Sequence, residues 1–213
     1  MINQDRKIAG DIISLQRKRI ILAICGMTGV GKTTIIHKMI NQYPNLLFSK
    51  AATTRPPRFP EIKNGSKYVF VTLREFQDLI ESNKLLEYGE RYGNYYGELR
   101  EPLVSNSNLA TDAILDTTVC GAEKISKEIG EKITTIGVFP PSINILMQRL
   151  DSRRITEHES SSNRLLQIQK YYDDSIKSDY LVINDNLQET VNQISCIYES
   201  LKMHRNYCGI TLE

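Results

Sequence analysis

Arg19-Ile-Ile-Leu-Ala-Ile-Cys25, continued by Gly26-Met-Thr-Gly-Val-Gly-Lys-Thr33, is the stretch that decides the fold. The apolar run Ile20 to Cys25 is six residues long, where a membrane span needs about 20, so it reads as a buried strand. A glycine-rich turn follows. From Lys32 the apolar residues Ile35, Ile36, Met39 and Ile40 recur at helical spacing to about Gln42. Strand, glycine loop and helix in that order, with GxxxxGK and then Thr, form a phosphate cradle. The glycines let backbone N–H groups turn inward around phosphate oxygens, and the following helix adds its positive N-terminus. Lys32 then reaches the outer phosphates and Thr33 offers a hydroxyl to Mg²⁺. A plain turn needing positive φ would account for the glycines but not for Lys32 and Thr33 behind them. The expected ATP contacts here are Gly26, Thr28, Gly29, Val30, Gly31, Lys32 and Thr33.

Working outward, Tyr68 to Val71, Ala113 to Leu115, Thr135 to Phe139 and Tyr180 to Ile183 read as further strands, with helical patterns between most of them. The last pattern, Leu187 to Met203, is an amphipathic helix. This alternation predicts an α/β fold with a mainly parallel sheet flanked by helices. Asp116 ends a strand and so belongs at the carboxyl edge of the sheet, where a carboxylate holds Mg²⁺ or its water shell beside such a loop. Ala51 to Asn64, rich in Thr, Arg and Pro, and Asp151 to Ser162, polar and serine-rich, read as loops or small excursions from the sheet. Residues 1–18 read as a lead-in outside the core.

With 213 residues, 40% apolar and 24% charged, the chain has the composition of one globular domain with small sub-domains rather than of a disordered or fibrous protein. A net charge of +2 leaves no general field for nucleic acid or an anionic membrane, so any anion site is local. Cys25, Cys120, Cys196 and Cys208 show no CxxC spacing, and two lie in apolar patterns. Buried thiols in a reducing, cytoplasmic compartment are expected rather than disulfides or zinc. His37, His158 and His204 are scattered and read as surface or helix-face residues. Thr53-Thr-Arg-Pro-Pro-Arg58 adds two arginines held by stiff prolines, suited to bidentate recognition of a second phosphate facing the first.

The phosphate loop, ATTRPPR, the Glu61 to Tyr68 stretch, Gly93-Asn-Tyr-Tyr-Gly97, Pro140-Pro-Ser142, RLDSRR at Arg149 to Arg154 with Arg164 downstream, and Val182-Ile-Asn-Asp185 together resemble guanylate kinases, in order, from about residue 19 to 203. The resemblance implies a single three-part nucleoside monophosphate kinase. The core would be about 19–49, 108–149 and 166–203, the small mixed acceptor-binding sub-domain about 50–107 and the lid about 150–165. It would act as a monomer or homodimer, with ATP as phosphoryl donor and Mg²⁺. On matching positions, Arg55, Arg58, Tyr68 and Tyr96 would hold the acceptor phosphate, and Lys32 would stabilise the transferring group. Arg149, Arg153 and Arg164 look like the arginines that neutralise charge as the site closes. Asn184 resembles the residue contacting the donor adenine, and Tyr95 reads as packing.

The base-reading positions depart from the family's pattern. Where the family has a hydroxyl, a Glu, a Ser or Thr and an Asp, this chain has Ala51, Glu87, Glu98 and Thr118, and only Glu87 matches. Glu87 suits guanine N1–H and the exocyclic amine, but both hydroxyl donors to the carbonyl oxygen are gone. GMP or dGMP is the expected acceptor. A purine with a 6-amino group, or another non-guanine nucleotide, is the alternative that the Glu98 carboxylate suggests. Glu98 turned to solvent, or Ser49, Lys50 or Thr118 as substitute donors, would restore guanine. A non-enzymatic binding module, and a kinase of this fold acting on a sugar phosphate, are the remaining readings.

Overall fold

The structure is a computed structural model that describes residues 19–57, 68–91, 93–105, 111–151 and 161–207, with side chains except at 161–167 and 206–207. Its centre is β1 (Ile21–Cys25), which pairs in parallel with β7 (Ala113–Asp116) on one side and β8 (Ile133–Phe139) on the other. β2 (Leu47–Phe48) joins outside β7 and β9 (Tyr180–Ile183) outside β8, giving a five-stranded parallel sheet in the order β2-β7-β1-β8-β9. β1 is covered on both faces, which is why its sequence is continuously apolar instead of alternating. Leu22 and Ile24 enter one cluster with Ile35, Ile36 and Met39 of helix α1 (Lys32–Gln42). Ile21, Ala23 and Cys25 enter the other cluster.

A second, four-stranded mixed sheet runs β4-β3-β6-β5. β3 (Ala51–Thr53) is parallel to β4 (Tyr68–Phe70) and antiparallel to β6 (Asn94–Leu99), which pairs with β5 (Leu85–Arg91). Helix α2 (Leu73–Glu81) buries Phe76 against this sheet. Its start is set by a capping box: the Thr72 hydroxyl accepts from Glu75 N–H while the Glu75 carboxylate accepts from Thr72 N–H at 2.7 Å. Short helix α3 (Glu101–Val104) leads back towards the core, where α4 (Val119–Ile129) supplies Val119, Ala122 and Ile125 to the second cluster. α5 (Ile143–Asp151), α6 (Ser161–Ser175) and α7 (Leu187–Tyr207) complete the chain. The last helix is fastened to the sheet by Asp112, whose carboxylate accepts from Ile20 N–H, Tyr198 O–H and Arg205.

The mainly parallel α/β architecture expected from the sequence is present. One reading is refined, one is corrected, and the histidines lie where the sequence put them. Ala51 to Asn64 is not wholly loop, since Ala51–Thr53 forms β3; three residues are too short to show a period, and their pairing partners are distant in sequence. Cys120 and Cys196 are exposed while Cys25 is buried, because the first two lie on the outer faces of their helices. His37 is exposed and meets the Phe48 ring edge-on, and His204 is also exposed. Residues 1–18, His158, Cys208 and most of the expected lid lie outside the described residues. Among the described residues no helix is long and apolar enough to cross a membrane.

Candidate active site

The glycine loop joins β1 to α1 at the carboxyl edge of the central strand. Gly31 has φ 99°, and a Cβ there would stand 2.5 Å from Asn184 Nδ2, so both backbone and space require glycine. Lys32 Nζ folds over the loop, donating to the carbonyls of Gly26 at 2.9 Å and Met27 at 3.0 Å. It also lies 3.9 Å from Asp116 Oδ1. Asp116 reaches it because β7 neighbours β1 in register, with Asp116 opposite Ile24 at the strand end. Beneath the loop, burial first and Asp174 second push the Cys25 thiol well above its ordinary range, which leaves it protonated and inert.

Asn184 is nearly buried and its amide is used within the protein: Nδ2 donates to Val30 O at 2.7 Å and Oδ1 accepts from Thr190 Oγ1 at 3.1 Å. The residue expected to read adenine therefore also braces the phosphate loop. Arg149 Nη2 donates to Asn184 O at 3.1 Å, which fixes this arginine at the mouth of a pocket walled by Gly29, Gly31, Thr34, Asn184 and Leu187. Thr33 lies exposed in the first turn of α1 and Asp116 is half-buried. A hydroxyl and a carboxylate are hard oxygen donors that fit Mg²⁺, an ion usually held by one or two protein groups plus substrate phosphates. No cluster of three or more His, Cys, Asp or Glu competes as a metal site among the described residues.

The four-stranded sheet sorts its residues by the two-residue alternation of strands. In the ladder, Thr53, Tyr96 and Gly89 form one row and Ala51, Glu98 and Glu87 the next, with Tyr68 opposite Ala51. One face thus carries Tyr68, Tyr96, Glu98, Glu87 and Arg91, while Tyr95 turns to the other and packs on Phe76 with ring centres 5.6 Å apart. Arg55 lies 5.4 Å from the Tyr68 ring centre, and Tyr68 meets Tyr96 at 5.7 Å. The arginine and both tyrosines expected to hold the acceptor phosphate are thereby brought together; Arg58, Arg153 and the side chain of Arg164 lie outside the described residues.

Glu87 is half-buried, and the loss of hydration raises its pKa while Arg91 and Lys124 oppose the shift. Gly121 admits it: a Cβ there would come within 2.8 Å of Glu87 Oε1. Thr118 is the N-cap of α4, its hydroxyl accepting from Gly121 N–H at 3.0 Å. The same helix start receives a second cap from another element, as Asp174 of α6 accepts from Val119 N–H at 2.8 Å and Cys120 N–H at 3.1 Å. Glu98 is only 5% exposed, so it does not turn to solvent as one reading of the sequence allowed. The Ser49 hydroxyl is buried without a hydrogen-bond partner among the described residues. Sequence reasoning missed Arg91, although the alternation 87, 89, 91 on one strand face was there to be used.

The chain that brings the glycine loop and the Arg55, Tyr68 and Tyr96 cluster together matches a known family. The guanylate kinase family model matches residues 16–201. The chain belongs to the guanylate kinase family. The guanylate kinase of Wolbachia sp. subsp. Brugia malayi is 32% identical over 194 residues, covering 91% of this chain and 99% of the relative. That of Ehrlichia chaffeensis is 36% identical over 191 residues, covering 89% and 90%. Among solved structures, the crystal structure of guanylate kinase from Anaplasma phagocytophilum superposes with a TM-score of 0.70 at 27% identity, covering 88% of each chain. As a guanylate kinase family member, the protein is placed among phosphotransferases, which leaves the roles of its individual residues to be argued from their positions.

Proposed function

We propose that the protein transfers the γ-phosphoryl group of ATP to GMP or dGMP. An oxygen of the acceptor phosphate attacks the γ-phosphorus, the bond from that phosphorus to the bridging oxygen breaks, and ADP leaves with the electron pair. The observation that carries this reading is the position of Asp116, 3.9 Å from Lys32 of the phosphate loop and within the electrostatic reach of Arg91 on the acceptor face. Donor and acceptor sites share this edge, as direct transfer between two bound nucleotides needs.

In this reading Lys32 stabilises the transferring group and Arg149 adds positive charge beside the adenine pocket. Arg55, Tyr68 and Tyr96 hold the acceptor phosphate, and Glu87 accepts from guanine N1–H and the exocyclic amine. Thr33 and Asp116 would hold Mg²⁺, which supplies charge neutralisation at the phosphates when bound. Arg58, Arg153 and Arg164 keep the roles that the family resemblance implies. The core, the acceptor-binding part at 50–107 and the lid at 150–165 are then the units that close on the substrates.

Release of ADP from Mg-ATP against a panel of ribo- and deoxyribonucleoside monophosphates tests the reading. Turnover with GMP or dGMP and weak turnover with the rest is the expected result. Preference for a 6-amino purine would instead favour the acceptor that the buried Glu98 carboxylate suits. Binding of ATP without turnover of any acceptor would sink the kinase reading.

A further inference from the structure

Resting on the reading of GMP as acceptor, we infer that Arg91 is a specificity-determining residue that donates to the guanine carbonyl oxygen and N7, in place of the hydroxyl donors that Ala51 and Glu98 cannot supply. The placement follows from the strand. Arg91 lies four residues beyond Glu87 on the same face of β5, so the two Cα atoms are about 13 Å apart. Yet Arg91 Nη2 comes to 3.9 Å from Glu87 Oε1. The side chain must therefore run back along the strand, past Gly89, whose cross-strand partner is Tyr96. In agreement, the guanidinium carbon stands 5.8 Å from the Tyr96 ring centre. Gly89 offers no obstacle, since a Cβ there would meet no atom of the described residues within 4 Å. The charge ends between the row that carries Tyr96 and the row that carries Glu87 and Glu98, with its side chain 27% exposed and that of Glu87 10% exposed.

A guanine presents N1–H and O6 as adjacent groups on one edge, the first a donor and the second an acceptor. A carboxylate and a guanidinium side by side present the complementary pair. Arginine is also the side chain whose planar fork fits guanine O6 and N7 together. Arg91 is charged, as arginine is in proteins, and although burial works against the charge the carboxylates of Glu87 and Asp116 favour it. Glu98 brings no alcohol hydroxyl to the row, and as a carboxylate it would call for a cation beside O6.

The test compares kcat/KM for GMP and for 6-thio-GMP, which keeps N1–H and the exocyclic amine but replaces O6 with sulfur, a weak acceptor. Measurements use wild type, Arg91→Met, Arg91→Lys and Ser49→Ala with Mg-ATP. Wild type should prefer GMP. Arg91→Met should lower kcat/KM for GMP by about 10- to 100-fold, mainly through KM, and bring the GMP to 6-thio-GMP ratio close to one. Arg91→Lys, which keeps a single donor cation, should restore part of the ratio. A parallel fall for both acceptors would mean that Arg91 only orients Glu87, and would overturn the assignment. So would an unchanged ratio in both Arg91 variants, or a ratio that collapses in Ser49→Ala instead. If wild type itself ignores GMP, the underlying function falls first and the assignment with it.

Discussion

The two sheets are built on opposite plans. The five-stranded sheet is buried on both sides: one cluster joins Leu22, Ile24 and Val138 to α1 and α7, and another joins Ile21, Ala23 and Leu115 to α4. Among the described residues the four-stranded sheet has a small core of its own, Ala52, Phe76 and Leu85, with Leu86 of β5 joined to the second cluster, and its other face is given to Tyr68, Tyr96, Glu87, Glu98 and Arg91. Apolar burial is the main stabilising term, so the half with the glycine loop, the donor half of the proposed reaction, is held firmly, and the four-stranded half, its proposed acceptor half, is held by fewer contacts. A kinase that must close around two anions and exclude water gains from this division. The rigid half presets the phosphate loop, and the lightly packed half can move with its substrate.

The most severe way to break the contrast is Phe76→Ala. Removing the largest side chain of the small core should cost about 3 to 5 kcal/mol locally. Hydrogen exchange should show β3 to β6 losing protection while β1, β7 and β8 keep theirs and ATP still binds; uniform loss of protection across both sheets would show that the halves are one cooperative unit. On the donor side, Lys32→Ala should lower kcat by about 10²- to 10³-fold with little change in thermal stability, measured by ADP release and a melting curve. An equal loss of stability would mean that the bonds of Lys32 to Gly26 and Met27 hold the loop together rather than serve transfer.

Within the core, Asp174→Ala removes the carboxylate from the start of α4 and should cost about 1 kcal/mol in denaturant unfolding. The finest test is a pH profile. Burial raises the Glu87 pKa, so the folded protein holds this proton more tightly than the unfolded chain does. Stability should therefore decline as pH rises from the ordinary glutamate range to the raised value. GMP kcat/KM should rise over the same interval, because the ionised carboxylate is the form that accepts from N1–H. Glu87→Gln should remove that acid limb, and Arg91→Met should shift it to higher pH, since Arg91 opposes the rise. An identical limb in all three proteins would assign the titration to another group.

Much of the donor half was legible in the chain itself. A six-residue apolar run, a glycine loop ending in Lys32 and Thr33, and the spacing of Ile35, Ile36 and Met39 are local signals, and the helix starts at Lys32 and ends at Gln42 where the pattern places it. Strand ends such as Asp116 could be placed because a parallel sheet puts them all at one edge. In the acceptor half β4 was legible as the apolar run Tyr68 to Val71, and the rest only as motif. β3 spans three residues, β6 carries the polar Asn94 and Glu98 on the face opposite Gly97, and neither shows a period strong enough to name its partners.

What the sequence by itself determined is therefore the phosphate loop, the α/β plan and the identity of the residues available to bind phosphate, because each is encoded in neighbours along the chain. Only the tertiary structure decided that Ala51, Glu98 and Glu87 share one row, that Asn184 braces Val30, and that Arg91 turns back to Glu87. Those relations join residues as far as 154 positions apart, and a side chain's neighbours across a ladder are set by register, which no local pattern records.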